Sequence, residues 1–215
     1  MDLSIYVVTD AAMCSRRGLS NTVAAAVEGG ATTIQYRDKT ADSRSQLREL
    51  EQVAQAIAGR ALLLVNDHVD LAIMARARGI PVHGVHVGQR DGSALRARNL
   101  LGPEAIVGLT ANTPRHLAEA EQLETGTVDY LGVGVIRATA SKPDHPPALG
   151  VRGFSTLAAS TPFPCVAIGG IGRGDVAAIR RAGGAGVAVI SAVCAAADPE
   201  RATRSLRQEW EGARL

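Results

Sequence analysis

Short apolar runs and stretches of helical periodicity alternate from one end of the chain to the other. The runs are IYVVT near Ile5, TTIQY ending at Tyr36, ALLLV ending at Val65, VHGVHV around Val85, AIVGL ending at Leu109, DYLGVG ending at Gly134, PCVAI ending at Ile168 and GVAVI ending at Ile190. Most lack strict polar alternation, as expected of strands covered on both faces. Between them, Leu47, Leu50, Val53 and Ile57 recur at helical spacing and Gly59 follows as a stop. Thr113-Pro114 reads as an N-cap followed by proline at the first helical position, and Asp198-Pro199-Glu200 repeats that start signal before the last helix. Eight strands alternating with helices imply an all-parallel sheet, and eight is the number that closes a (β/α)8 TIM barrel. An open doubly wound sheet usually carries a glycine fingerprint after its first strand. TDAAMC, from Thr9 to Cys14, has none.

Composition agrees with this picture and narrows it. At 215 residues the chain could hold one large domain or two small ones. No Pro/Ser-rich linker or composition break divides it, so one barrel domain over 1–215 is expected. Aromatics make up only 3% of residues, so the core must be built from Val, Ile, Leu and Ala. A net charge of +2 is too weak to argue for nucleic acid or an anionic membrane. Cys14, Cys165 and Cys194 are odd in number and form no C-x-x-C pair, which argues against a disulfide framework or a zinc site. No run has transmembrane length, and a cytoplasmic soluble protein is the expectation. Homo-oligomerisation is left open.

In a barrel the active site lies at the C-terminal strand ends. There the chain places Gln35, Arg37 and Lys39 after strand two, Asn66-Asp67 after strand three, and Gln89 and Asp91 after strand four. Thr110 follows strand five, Thr139, Ser141 and Lys142 follow strand six, Gly169-Gly170 strand seven, and Ser191 strand eight. Each has a plain explanation alone; their convergence on one rim is the signal. Of the 23 Lys and Arg residues only Lys39 and Lys142 are lysines. A lysine presses a compact charge on one oxygen where arginine offers a planar fork, so two lone lysines at strand ends suggest one anionic site.

Asp67 and Asp91 are carboxylates on neighbouring strand ends. Mg2+ is commonly held by one or two carboxylates with substrate phosphate oxygens and water. Asp67 could instead cap the helix beginning near His68, and Asp91 could stabilise an Asp91-Gly92 turn. The cations nearby favour a Mg2+-diphosphate site. The glycines of AIGGI, with VISAV at the eighth strand end, suit a backbone phosphate cup. His68, His83, His116 and His145 show no metal-ligand spacing, and His86 and Cys165 read as packed core.

Taken in order, QYRDK, VNDHVDLA, GVHVGQRD, DYLGVG with T-x-S-K, and AIGGI with VISA resemble the thiamin phosphate synthase family over nearly the whole chain. That resemblance implies a (β/α)8 barrel that joins hydroxymethylpyrimidine diphosphate to hydroxyethylthiazole phosphate and releases diphosphate. It implies that Gln35, Tyr36, Arg37, Asp38, Lys39, Asn66, Thr110 and Lys142 hold the pyrimidine diphosphate, with Arg37, Lys39 and Lys142 acting on the leaving group. Asp67 and Asp91 would bind Mg2+. Thr139, Ala140, Ser141, Gly170, Ile190 and Ser191 would hold the thiazole phosphate. The chain departs from the family in Val135 for a proline, Ser141 for a threonine, and Asn112 for the histidine of S-T-H. A thiazole tautomerase on the same barrel, or a barrel that binds a phosphorylated ligand without catalysis, are the competing readings. Neither explains a full set of leaving-group residues.

Overall fold

The computed structural model describes residues 1–89, 93–139 and 147–213. The chain runs β1 (Ile5–Val8), α1 (Ala11–Cys14), α2 (Leu19–Glu28), β2 (Thr33–Tyr36), α3 (Ser43–Ile57), β3 (Leu62–Asn66), α4 (Val69–Ala77), β4 (Gly84–Val87), α5 (Ala94–Leu101), β5 (Ile106–Thr110), α6 (Pro114–Glu121), β6 (Tyr130–Gly134), α7 (Gly150–Ala159), β7 (Cys165–Ile168), α8 (Val176–Arg181), β8 (Gly186–Val189), α9 (Ser191–Cys194) and α10 (Pro199–Gly212). The strands are parallel and close in sequence order, with β1 pairing β8 through Ile5 and Val187, Tyr6 and Ala188, and Val7 and Val189. The expected (β/α)8 barrel is therefore the observed fold.

The local start signals act as the sequence predicts. Thr113 caps α6 by accepting the His116 N–H at Oγ1, and Asp198 caps α10 by accepting that of Arg201. The end of α3 differs from the expectation. Ala58 takes the left-handed cap position (φ 50°) and Gly59 follows at φ 73°. The glycine continues the turn that the alanine has already begun.

Strand residues alternate strictly between two cores. Ile5, Val7, Ile34, Leu63, Val65, Val85, Val107 and Leu131 point outward and pack beneath the helices. Tyr6, Val8, Leu64, Tyr130, Val166 and Ala188 fill the barrel interior. The apolar runs hide this period of two because both faces are buried. Inward glycines admit the two tyrosines and a histidine into a narrow barrel. A Cβ at Gly108 would lie 2.2 Å from Cζ of Tyr130 and 2.5 Å from Nδ1 of His86. Gly108→Ala should therefore cost about 1–3 kcal/mol through overpacking. Calorimetry should show Tm falling by about 2–4 °C for each kcal/mol.

At the N-terminal face, two arginines tie loops together. Arg76 donates to the carbonyls of Val82, Leu101 and His83, and Arg98 to those of Gly102, Pro103 and Ala105. Among the described residues no helix is long and apolar enough to cross a membrane.

Candidate active site

The C-terminal strand ends surround a cavity whose wall includes Gln35, Arg37, Lys39, Asn66, Asp67, Thr110, Thr139, Gly170, Ile190 and Ser191. These expected site residues come from six strand ends and the loops that follow them, and meet around one opening. Asp91, Ala140, Ser141 and Lys142 lie outside the described residues.

Asp67 does not cap the following helix. The N-cap of α4 is His68, which makes no side-chain cap bond. Asp67 instead adopts a left-handed backbone (φ 60°), a conformation that Asp and Asn tolerate better than other non-glycine residues. Its N–H donates to the carbonyl of His86. Its carboxylate accepts from the Gly88 N–H at 3.0 Å and from Nδ2 of Asn66 at 2.6 Å. The carboxylate is thus held at the cavity wall by two strand ends. Backbone outliers that the surroundings fix so firmly gather at functional sites.

Arg37 and Lys39 flank the same wall. The Arg37 N–H donates to Oγ1 of Thr9, and its guanidinium reaches Asp10 at 3.4 Å. Asp10 also caps α1 by accepting the Met13 N–H. Lys39 is exposed and has no hydrogen-bond or ion-pair partner among the described residues. One cation is held by a carboxylate and the other stands exposed at the cavity rim.

Two members of QYRDK turn away. Gln35 points into the barrel, so Tyr36 must point out of it. The Tyr36 hydroxyl donates to Oε2 of Glu49 on α3, with burial and that carboxylate raising its pKa. Asp38 folds back on its own loop, where Oδ1 accepts from Thr40 N at 2.7 Å, Thr40 Oγ1 at 3.0 Å and Ala41 N at 3.2 Å. Partial burial raises the Asp38 pKa, but these bonds outweigh it and the net shift is downward. The Tyr36 and Asp38 side chains therefore form no part of the cavity wall.

The glycines expected to form a phosphate cup belong to a braced loop. Gly170 has φ 66°, and a Cβ there would lie 2.7 Å from the Arg137 carbonyl oxygen. The chain leaves β6 through a cis Gly134–Val135 peptide. The Arg137 N–H then donates to the Gly169 carbonyl, and its guanidinium grips Asp175 with Nη2 at 2.6 Å from Oδ1. That grip lowers the Asp175 pKa. Thr139 follows at the cavity edge.

The cavity floor contains residues that sequence reasoning missed or dismissed. Gln35 Nε2 donates to the Tyr6 hydroxyl at 2.8 Å, and the Tyr6 and Tyr130 hydroxyls lie 2.9 Å apart. His86 Nδ1 meets the Tyr130 hydroxyl at 2.9 Å, and its Nε2 meets Oγ1 of Thr110 at 3.0 Å. Burial holds both tyrosine pKa values above the usual range. His86 is packed in the barrel, as expected, but it also lines the cavity. Asn112, the residue at the departure from S-T-H, lines it too and accepts the Gly134 N–H at Oδ1. Gln35, a polar residue inside an apolar run, was the available signal for this floor.

The sequence profile described as thiamine monophosphate synthase matches residues 5–193. The chain belongs to that family. Among its relatives, a thiamine-phosphate synthase of a Psychrobacter species is 42% identical over 204 residues, covering 95% of this chain and 93% of that protein. One of Xanthobacter autotrophicus is 43% identical, covering 96% and 94%. The solved structure of a thiamine phosphate pyrophosphorylase from Pyrococcus furiosus superposes with a TM-score of 0.85 at 32% identity, covering 99% of this chain and 97% of that one. As a member of the thiamine monophosphate synthase family, the chain is a transferase of thiamine biosynthesis.

Of the two carboxylates expected to hold Mg2+, Asp67 is described and Asp91 is not. No cluster of three or more His, Cys, Asp or Glu side chains suited to a metal occurs among the described residues. Mg2+ needs no such protein cage when substrate phosphates and water supply most ligands. One oriented carboxylate at a cavity wall beside two cations fits that requirement.

Proposed function

We propose that this chain joins hydroxymethylpyrimidine diphosphate to hydroxyethylthiazole phosphate by a Mg2+-dependent, dissociative substitution that releases diphosphate. The observation that carries this reading is the oriented Asp67 carboxylate beside Arg37 and Lys39, the latter unpaired among the described residues, in a cavity that also reaches Gly170 and Ser191. Two anionic groups can then sit in separate sectors of one opening, around the pyrimidine floor. Asp67, with Asp91, would hold Mg2+, which supplies neutralisation of charge developing on the leaving diphosphate.

The side chains contribute positioning and electrostatics. Arg37 and Lys39, with Lys142, would stabilise charge on the leaving oxygens in a site that needs no reorganisation. Gln35, Asn66 and Thr110 would orient the pyrimidine diphosphate. Thr139, Ala140 and Ser141, with Gly170, Ile190 and Ser191, would seat the thiazole phosphate and bring its ring nitrogen to the electrophilic carbon, lowering the entropic cost of the encounter. No protein nucleophile enters the reaction. The reading carries with it a single barrel domain over 1–215, small-molecule substrates and a cytoplasmic setting.

The direct test is to mix the two substrates with Mg2+ and follow thiamin phosphate and diphosphate together. Equal appearance of both supports the assignment, and no coupled product would overturn it. Within it, Gly170→Val should raise KM for the thiazole phosphate by about tenfold or more, the effect of roughly 1.4 kcal/mol of lost binding. A rise confined to KM for the pyrimidine diphosphate would show that the two pockets are assigned backwards.

A further inference from the structure

The floor of the cavity is a single file of side chains from five strands: Gln35 on β2, Tyr6 on β1, Tyr130 on β6, His86 on β4 and Thr110 on β5. Its two ends, Gln35 and Thr110, are groups assigned above to the pyrimidine diphosphate. Each hydroxyl in the file has one proton, so the direction of every bond depends on its neighbours.

Burial decides the direction. Tyr6 is 1% exposed, and its oxygen already accepts from Nε2 of Gln35, whose amide nitrogen can only donate. The only other partner of the Tyr6 hydroxyl among the described residues is the Tyr130 oxygen. If Tyr130 donated to Tyr6, the Tyr6 proton would be buried without an acceptor, a costly arrangement. Tyr6 therefore donates to Tyr130. Tyr130, also 1% exposed, must then donate to His86 Nδ1. With Nδ1 accepting, the ring proton sits on Nε2 and is donated to Oγ1 of Thr110. The Thr110 proton is left to point into the cavity.

We infer that His86 is a positioning residue: the Tyr6–Tyr130 relay holds it as the Nε2–H tautomer, so that Thr110 meets the substrate as a hydrogen-bond donor. Thr110 is half-buried and lines the cavity, so this polarity reaches the ligand. A donor at that point favours an acceptor, such as a phosphate oxygen or an unprotonated ring nitrogen, over an amino group. This inference rests on the proposed function for the identity of the ligand, but the bond polarity does not depend on it.

Two measurements test it separately. Long-range 1H–15N correlation on the full chain, with His86 assigned by loss of its signal in His86→Gln, should show a bare Nδ1 and a protonated Nε2. Tyr6→Phe should keep that tautomer, because Tyr130 still has His86 as its acceptor. Tyr130→Phe should release it. A protonated Nδ1 in the parent protein would overturn the proposal, whatever the enzyme catalyses.

The second measurement is kinetic. Thr110→Val and Tyr130→Phe should each lower kcat/KM for the pyrimidine diphosphate by about tenfold, as expected for one hydrogen bond. KM for the thiazole phosphate should stay within about twofold, well inside that loss. Combined, the two changes should do no more harm than the worse single change, since both remove the same donor. Multiplying losses would mean that Tyr130 acts on the substrate by a route other than Thr110, and the relay would be rejected. A parent protein that forms no thiamin phosphate defeats the functional reading alone, because the tautomer measurement uses no substrate.

Discussion

Asp67→Asn is expected to lower turnover by about 10²–10³-fold, the usual consequence of removing one fixed electrostatic group from a reaction site. Asparagine is the informative substitution. It is nearly the same size and tolerates the left-handed backbone found at Asp67. Its single acceptor oxygen can serve either the Gly88 N–H or Nδ2 of Asn66, which Asp67 serves with two oxygens. Losing one such bond costs about 1 kcal/mol. For a chain of this size that is about 2–4 °C in Tm. The lost catalysis corresponds to about 2.7–4 kcal/mol of barrier. The activity loss should therefore exceed anything that destabilisation explains. Diphosphate release measured across a Mg2+ titration, beside a melting curve, separates the two. A large fall in Tm with near-normal turnover of the remaining folded enzyme would make Asp67 a structural residue.

The barrel was legible because its signals are local and repeated. Eight short apolar runs, spaced by helical segments with strong N-caps at Thr113 and Asp198, leave few alternatives to a closed parallel sheet. The rim was legible for the same reason, since a polar residue just after a strand must lie at that strand's C-terminal end. What the pattern hid was phase. A strand buried on both faces reads as uniformly apolar, so Tyr6 looked no different from Ile5 or Val7. Gln35 carried the missing information. A glutamine inside an apolar run marks the inward face, and its neighbours Ile34 and Tyr36 must then face the helices.

Other features depended on contacts between distant residues. The left-handed turn at Asp67 is set by the His86 carbonyl and the Gly88 N–H, which no local motif announces. The sequence offered a helix cap as the simpler role, and the geometry gives that position to His68. Arginine content was equally ambiguous. Arg76 donates to carbonyls at the N-terminal face and Arg98 to carbonyls there and to the Asp129 carboxylate, whereas Arg37 is aimed at the cavity by Asp10. Composition alone cannot distinguish these uses, because the difference lies in which end of the barrel each loop occupies.

Lys39→Ala and Lys142→Ala should each slow diphosphate release by about 10²–10³-fold at saturating substrates. The reasoning differs for the two. Lys39 is exposed at the cavity rim and pairs with no carboxylate among the described residues. Truncating it leaves no partner uncompensated, so stability should change by no more than about 0.5 kcal/mol. Lys142 lies outside the described residues and enters through T-x-S-K, after β6, four strands around the barrel from β2. Cations from opposite sectors could hold one diphosphate between them. Because charge grows on that group as its bond to carbon breaks, the loss should fall on kcat more than on KM. Arginine retains charge but replaces a compact ammonium with a planar fork, so Lys39→Arg and Lys142→Arg should recover only part of the rate. The double alanine variant should lose more than either single one if the lysines contact different oxygens. Turnover within about twofold of the parent for both single variants, far short of the expected loss, would remove the lysines from the leaving-group site. It would leave Arg37 as the cation oriented there by the described residues, with Asp10 holding it in place.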